Sequence, residues 1–453
     1  MHMTVQEVVE ACGGKLLCGD PTAKITGVGT DSRQIEPGML FVPLRGEHTD
    51  AHLFIPATFA AGAAAVLTQE HRQMQDEHAW IAVRDTEEAL QAVAAAYRRR
   101  FQIPLVGITG SVGKTTTKEM VALALSAGCS VMKTQGNQNS QVGVPLTMFQ
   151  IDGTHQAGVI EMGMSQFGEM ARLARIVAPQ YAVMTNIGIS HIENLHTKEN
   201  ILREKLHITD AFGPGSALVL NGEDPMLAAL RGRLPFRTLF AGTQDWCDYR
   251  ATGVAAQGGE TDFVACCPGV EVPVHLPVPG MHQVTNALAA LAVADLLHVD
   301  LKAAAAALAG YQPLAMRQQV HQVDGITIID DSYNASPDAM RGSIDVLCAY
   351  PGRHVAVLAD MLELGAYSRQ AHFSCGEHAA RAGVDLLVTV GPASCAIGEG
   401  AAHVAPQMPC AHFDSNAQAG AYLRHILTAG DVVLVKGSRG MHTDEIVSSL
   451  ISL

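Results

Sequence analysis

The sequence predicts a three-domain α/β protein whose middle part is a parallel sheet carrying a phosphate-binding loop. Three observations predict it. The stretch "VGITGSVGKTTTKEM", Val106 to Met120, has the composition of a P-loop at Gly110, Gly113, Lys114 and Thr115. Glycines let backbone N–H groups face phosphate oxygens, a lysine reaches the terminal phosphates and a hydroxyl ligates magnesium. Around it, short apolar runs alternate with helical stretches, the rhythm of strands joined by crossover helices. The length of 453 residues and a hydrophobic content of 48% suit several packed cores. The strict pattern GxxxxGK[ST] places a glycine at position 108, where Ile108 stands; here the glycine falls one place earlier, at Gly107.

From Val5 to about Arg100 the chain reads as a small α/β unit: "GMLFVPLRG" is a strand, and "FIPATFAAGAAAVLT" a helix leading into a strand. Glu87 to Arg100 has helical spacing, acidic first and ending in Arg98, Arg99 and Arg100, which complements the helix dipole and reads as a solvated helix end. Ile103 to Thr109 is a buried strand feeding the glycine loop, and Lys114 to Ser126 the helix after it. The runs "AGVIEM", "YAVMTNI" and "ALVLN", with helices such as "GEMARLARIVA" between them, continue a central domain of roughly two hundred residues. After the helical "NALAALAVADLL" and Leu301 to Gly310, four more parallel strands follow at "ITIIDD", "HVAVLAD", "DLLVTVG" and "DVVLVKGS". No GxGxxG sits at the first turn of this third unit, which weakens a dinucleotide-binding reading. The expected domains are 1–100, 101–313 and 314–453, with a hinge near Gly310 to Pro313.

The net charge of −14 argues against a broad grip on nucleic acid or an anionic membrane, leaving small molecules as partners. No signal segment and no apolar run of membrane-spanning length occurs, so a cytoplasmic protein without membrane insertion is expected. Ten cysteines without a CxxC fit reduced thiols, and twenty histidines without HExxH give no zinc spacing.

Polar residues that follow the strands of a parallel sheet converge on one edge. Glu161 ends "AGVIEMGM", Thr185 and Asn186 end "YAVMTNIG", and His191 lies just beyond in "ISHIE". A glutamate so placed beside a P-loop suits a magnesium ion, held directly or through water. An isolated one would read as a helix cap or surface carboxylate.

The set "GITGSVGKTTT", "QGNQNSQVGVPLTM", "IEMGMSQFGEM", "TNIGISHIE", "PGMHQVTNALAA", "DDSYNASPDAM", "LADMLELG" and "VKGSRGMHTDE" resembles the Mur ligases of peptidoglycan synthesis. "TDSRQIEPGMLFVPLRGEHTDAH" resembles the nucleotide-sugar domain of that family. The resemblance implies the three-domain Mur ligase architecture, with a central P-loop ATPase domain and a Rossmann-like C-terminal domain. "DDSYNASP" followed by "LADMLELG" resembles the members that add D-alanyl-D-alanine to UDP-N-acetylmuramoyl-tripeptide.

Residue by residue, the resemblance implies that Gly110, Ser111, Val112, Gly113, Lys114, Thr115 and Thr116 hold ATP, with Asn286 at the adenine. Arg317 and Asp331 close over the nucleotide. Thr115, Glu161, His191 and Lys205 serve two magnesium ions, Lys205 in "ILREKLHI" as a carbamate. Lys114, Lys205, His191 and Arg317 are the implied catalytic set. Asp31, Ser32 and Arg33 match the stretch associated with the UDP-sugar, Asn137 and Asn139 a segment beside the site, and Tyr333, Asn334 and Ser336 contacts to the second substrate. By itself Lys205 reads as a helix-surface lysine, since lysine is seldom buried. The chain departs from the family at His207, where glutamate is expected, and at Ser336, where asparagine is common. The implied partners are the two small-molecule substrates, taken by a monomer.

Another Mur ligase or a folylpolyglutamate synthase would share the central domain and differ in the first and third. A P-loop switch, from a different class, would release phosphate without any amine acceptor.

Overall fold

A computed structural model describes residues 1–46, 49–257 and 259–452. The centre is a nine-stranded sheet in which the P-loop strand Leu105–Thr109 lies between Ala157–Glu161 and Tyr181–Met184, both parallel to it. All five residues of the P-loop strand are buried, as expected of a sheet covered on both faces. The strand begins two residues after Ile103 because Pro104 has no N–H for a ladder. Parallel pairing continues through Ala217–Asn221 and Arg237–Gly242 to Tyr249–Gln257. There the sheet turns antiparallel, through Glu260–Cys267 and Val270–Leu276. This ribbon is absent from the sequence expectation, although its burial alternates with period two, the pattern of an edge with one wet face.

The helix Lys114–Ser126 packs on Met281–Leu296, which is buried nearly all round because it is Ala- and Leu-rich on every face. Tyr311, within the expected hinge Gly310 to Pro313, is buried with this core.

The N-terminal sheet runs Lys15–Cys18, Ala79–Ala82, Ala65–Thr68, Met39–Phe41, Gly27–Gly29. Its helix Thr86–Arg98 joins the central domain. Arg98 corrects the reading of a solvated basic end. Its guanidinium donates to the carbonyls of Val177 (3.0 Å), Phe101 (2.6 Å) and Ile103 (3.0 Å), bracing the first domain on the second. Arg99 and Arg100 are exposed.

In the C-terminal sheet, Ile326–Asp330, Asp431–Lys436, Arg353–Ala359, Leu386–Val390 and Cys410–Phe413 are parallel neighbours in that order, and Gln319–Val323 adds an antiparallel edge. The four strands expected from sequence are all present. The carboxyl ends of Ile326–Asp330 and Asp431–Lys436 face the P-loop across a cleft of about 670 Å³.

Candidate active site

The phosphate cradle is the four-residue loop from Gly110 to Gly113. Gly110 has φ +150°, and a Cβ there would collide with Thr185 Oγ1, so only glycine fits. Gly107 plays no part in the cradle. It sits inside the strand, where a Cβ would press on Ile208 and Met162. Gly113 caps the helix with φ +83° and no side-chain cap, which leaves the first-turn N–H groups pointing into the cleft for an anion.

Thr185 and Asn186 shape this loop. Asn186 accepts from the Ser111 N–H at its carbonyl (3.1 Å) and from the Val112 N–H at its side chain (2.8 Å), and Thr185 Oγ1 donates to the Val112 carbonyl (2.5 Å). Lys114 Nζ donates to the Gly110 carbonyl at 2.8 Å and projects into the cleft, as do Thr115 and Thr116.

Glu161 is buried at its strand end. Oε1 accepts from Thr115 Oγ1 (3.2 Å) and Asn139 Nδ2 (2.7 Å), while Oε2 is buried without a hydrogen-bond partner among the described residues. A buried carboxylate oxygen without a hydrogen-bond donor costs about 1–3 kcal/mol unless a donor or metal ligates it. Beneath it lies Lys118, fully buried, with Nζ 3.9 Å from Glu161 Oε2 and donating to the Thr134 carbonyl at 2.9 Å. Sequence reasoning missed Lys118. Its signal was its position four residues after Lys114, on the same helix face.

Lys205 is 2% exposed, so the surface reading of this lysine does not hold. Burial pushes its ammonium far below the usual lysine range, and the nearby charge of Lys114 adds to this while Glu204 opposes. Lys114 is lowered by burial too, with Glu161 opposing and Arg317 reinforcing. His191, half-buried at φ +61°, has Nδ1 at 2.8 Å from Glu363 Oε2 across the domain boundary. Burial lowers its imidazole, Glu363 opposes, and Lys114 and Lys205 push it further down. His207 points elsewhere, pairing with Asp210 at 2.9 Å.

From the third domain, Arg317 stacks on the Tyr333 ring, 3.9 Å from guanidinium carbon to centroid. Both its neighbours, Met316 and Gln318, have positive φ, a local strain that sets the direction of Arg317. Asp331 Oδ2 accepts from Lys436 Nζ at 2.6 Å and Ser343 Oγ at 2.5 Å. Lys436 ends the strand in "VKGS" and also went unrecognised, although the strand-end rule that selected Glu161 applies equally to it. Asn286 accepts from Thr117 Oγ1 (3.0 Å) and donates to Gln283 Oε1 (3.3 Å), while Gln283 Nε2 donates to Gln318 Oε1 (3.2 Å). This chain of amides ties the P-loop helix to the third domain.

Asn139, Tyr333, Asn334 and Ser336 also line the cleft, and Ser336 Oγ is buried without a partner among the described residues. Gly110, Lys205 and Asn137 are not in its wall. Asp31, Ser32 and Arg33 lie apart from the cleft, on the first domain. There Asp31 caps the short helix Ser32–Gln34 and pairs with Arg33 at 2.8 Å, which holds its carboxyl at about 2. Glu47 and His48 of the first-domain motif lie outside the described residues.

A P-loop facing a second α/β domain that supplies an arginine and a lysine defines a nucleotide-using protein whose site is split between two domains. The sequence matches the Mur ligase middle domain over residues 108–294, the Mur ligase glutamate ligase domain over 316–439 and the Mur ligase family catalytic domain over 24–98. It is 36% identical to the UDP-N-acetylmuramoyl-tripeptide–D-alanyl-D-alanine ligase of Bacillus subtilis, over 99% of this chain and 98% of that one. The fold is similar to a crystal structure of MurF from Acinetobacter baumannii, with TM-score 0.93, 30% identity and coverage of 100% and 99%. It is also similar to MurF from Thermotoga maritima in complex with ADP, with TM-score 0.85, 28% identity and coverage of 94% and 97%. The chain belongs to the Mur ligase family.

Proposed function

We propose that this chain is an ATP-dependent ligase that joins D-alanyl-D-alanine to UDP-N-acetylmuramoyl-tripeptide, a step in making peptidoglycan precursors. The observation that carries it is end-to-end similarity to ligases of that name in a chain whose P-loop and third domain share one cleft. The tripeptide carboxylate attacks the γ-phosphorus of ATP, the bond to the β-phosphate oxygen breaks and ADP leaves. The amine nitrogen then attacks the acyl carbon, the carbon–oxygen bond to phosphate breaks, and the amine loses a proton.

The first step brings two anions together. Unit charges about 4 Å apart repel by roughly 4 kcal/mol at an effective dielectric near 20. Lys114 and Arg317, from two domains, offset that repulsion, and the P-loop N–H groups hold the phosphates in line. Asn286 holds the adenine end, and the stacked Arg317–Tyr333 pair together with Asp331 closes the third-domain side.

The donor set fits magnesium. Glu161 Oε2, which has no hydrogen-bond donor among the described residues, the Thr115 hydroxyl and His191 are oxygen and nitrogen donors, and Lys205, whose ammonium burial disfavours, can take up carbon dioxide as a carbamate, giving a further anionic oxygen. When bound, the ions neutralise phosphate charge. Asp31, Ser32 and Arg33 are assigned to the UDP-sugar, and Asn137 stands behind Asn139 at the site. A monomer in the cytoplasm is the working form. Both cationic walls of the cleft come from one chain, and among the described residues no helix is long and apolar enough to cross a membrane.

Phosphate release from ATP is expected only with the tripeptide nucleotide and D-alanyl-D-alanine together. Equal release with L-alanine, D-glutamate or a glutamylated folate in place of these substrates rejects the reading.

A further inference from the structure

Beyond Asp338 lies a second cavity of about 210 Å³, and Asp338 lines both it and the nucleotide cleft. This second cavity is about a third the size of the nucleotide cleft, which suits a ligand as small as a dipeptide rather than a nucleotide sugar. Ile189, Pro337 and Ala371 make an apolar wall, and Lys198 and Arg341 bring two cations. Lys198, the first residue of the helix Lys198–Leu206 that also carries Lys205, is half-buried and makes no ion pair or hydrogen bond among the described residues. Arg341 donates to Asp338 one turn earlier on its helix. The Asp338 carboxylate presses on the backbone of Gly188, where a Cβ would collide with Oδ2, and the Gly188 N–H donates to Ser111 Oγ of the P-loop at 2.9 Å. The cavity is therefore negative at the end beside the phosphate cradle, cationic at Lys198 and Arg341, and apolar along a wall.

We propose that this cavity, walled by Ile189, Pro337 and Ala371 with Asp338, Arg341 and Lys198 as its charged groups, holds the zwitterionic dipeptide acceptor. The inference deepens the ligase reading above and rests on it. The dipeptide ammonium replaces Arg341 at Asp338, which sets the amine at the mouth of the cleft where the acyl phosphate forms. Arg341, released, joins Lys198 on the terminal carboxylate, and the two methyl groups lie on the apolar wall. The third-domain residues Tyr333, Asn334 and Ser336 then border the acyl phosphate, and recognition of the acceptor carboxylate falls to Arg341 and Lys198.

Steady-state kinetics with D-alanyl-D-alanine and with its C-terminal amide test this. Lys198→Ala and Arg341→Ala are each expected to raise the KM for the dipeptide about tenfold or more while the KM values for ATP and the tripeptide nucleotide stay put. Wild-type enzyme, which needs no folding control, is expected to use the amide at least about tenfold less efficiently, and the Lys198→Ala/Arg341→Ala double variant to lose that preference. Equal use of acid and amide by the wild type, or unchanged dipeptide KM in both single variants, overturns the proposal while leaving the ligase reading intact. Absence of dipeptide-dependent phosphate release in the wild type overturns both.

Discussion

Burial lowers the pKa of both Lys114 and Lys205, with Arg317 adding to this at Lys114 and Lys114 adding to it at Lys205, yet they serve opposite ends of the same chemistry. Phosphate anions in the cleft would supply Lys114 with a charge partner that favours its ammonium form. Glu204 is the carboxylate that opposes the lowering at Lys205, and its Oε1 already accepts from the Met170 N–H at 3.0 Å. Burial that disfavours the ammonium favours the nucleophilic amine form, and a carbamate on Lys205, as proposed above, would reverse the local charge. Lys114→Ala is expected to lose about 10²-fold or more in turnover with an unchanged melting curve, by analogy with removing one preorganised charge-stabilising group. Lys205→Ala is expected to be folded and inactive, with partial recovery when a small carboxylate is added. Wild-type enzyme in carbon-13 bicarbonate should show a carbamate resonance that this variant lacks. A spectrum with no such resonance removes the carbamate. Glu161 was recognisable in the sequence because it ends a strand next to the P-loop strand. Lys118 beneath it was not, since nothing along the chain says that a lysine at that helix position is fully buried.

At the scale of elements, the segment "LADMLELG" is held by a buried histidine of the third domain. His372, on the helix Ser368–Ala382, accepts from the Met361 N–H at Nε2 (2.9 Å), and its Nδ1–H donates to the Ser368 carbonyl (2.7 Å). Only the neutral ring can do both. Burial accordingly holds its pKa below the usual histidine value, against the Ser368 carbonyl and Asp360. On acidification the unfolded chain takes up this proton first. The stability His372 contributes is therefore complete above about pH 6.5 and lost as pH falls from there toward the folded value. His372→Gln keeps an acceptor without titrating, so its melting temperature should fall less steeply than that of wild type between about pH 6.5 and 5. Equal slopes would reject the assignment. His372→Leu should cost about 1–3 kcal/mol at neutral pH, because the buried Met361 N–H loses its acceptor. The parallel strands on either side of the P-loop were legible as apolar runs. The antiparallel ribbon from Tyr249 to Leu276 was passed over, although Phe263 to Cys267 form an apolar run, because the strands on either side of that run interleave apolar and polar residues.

For the whole molecule, the decisive feature is that the cleft takes Lys114 and Thr115 from one domain and Arg317, Asp331 and Lys436 from another. Contacts across the boundary mix polar pairs, His191 with Glu363 and both His282 and Gln283 with Gln318, with local packing of Ile189 on the third-domain core and of Gly188 on Asp338. Interfaces of this kind open readily. The third domain is expected to swing on the residues just after Tyr311 and to close when nucleotide and sugar substrate bind, keeping water from the acyl phosphate. Small-angle scattering should show a smaller radius of gyration with an ATP analogue plus the tripeptide nucleotide than without them, and equal radii would count against closure. The sequence by itself determined the P-loop, the parallel strands that present Glu161 and Asp331, and the family, because these depend on local spacing and on the rule that strand ends share one edge. Tertiary structure alone decided that Lys205 and Lys118 are buried, that Arg98 braces two domains, and that Asp338, Arg341 and Lys198 surround one cavity. Burial and charge proximity arise from residues far apart in the chain, and no local pattern encodes them.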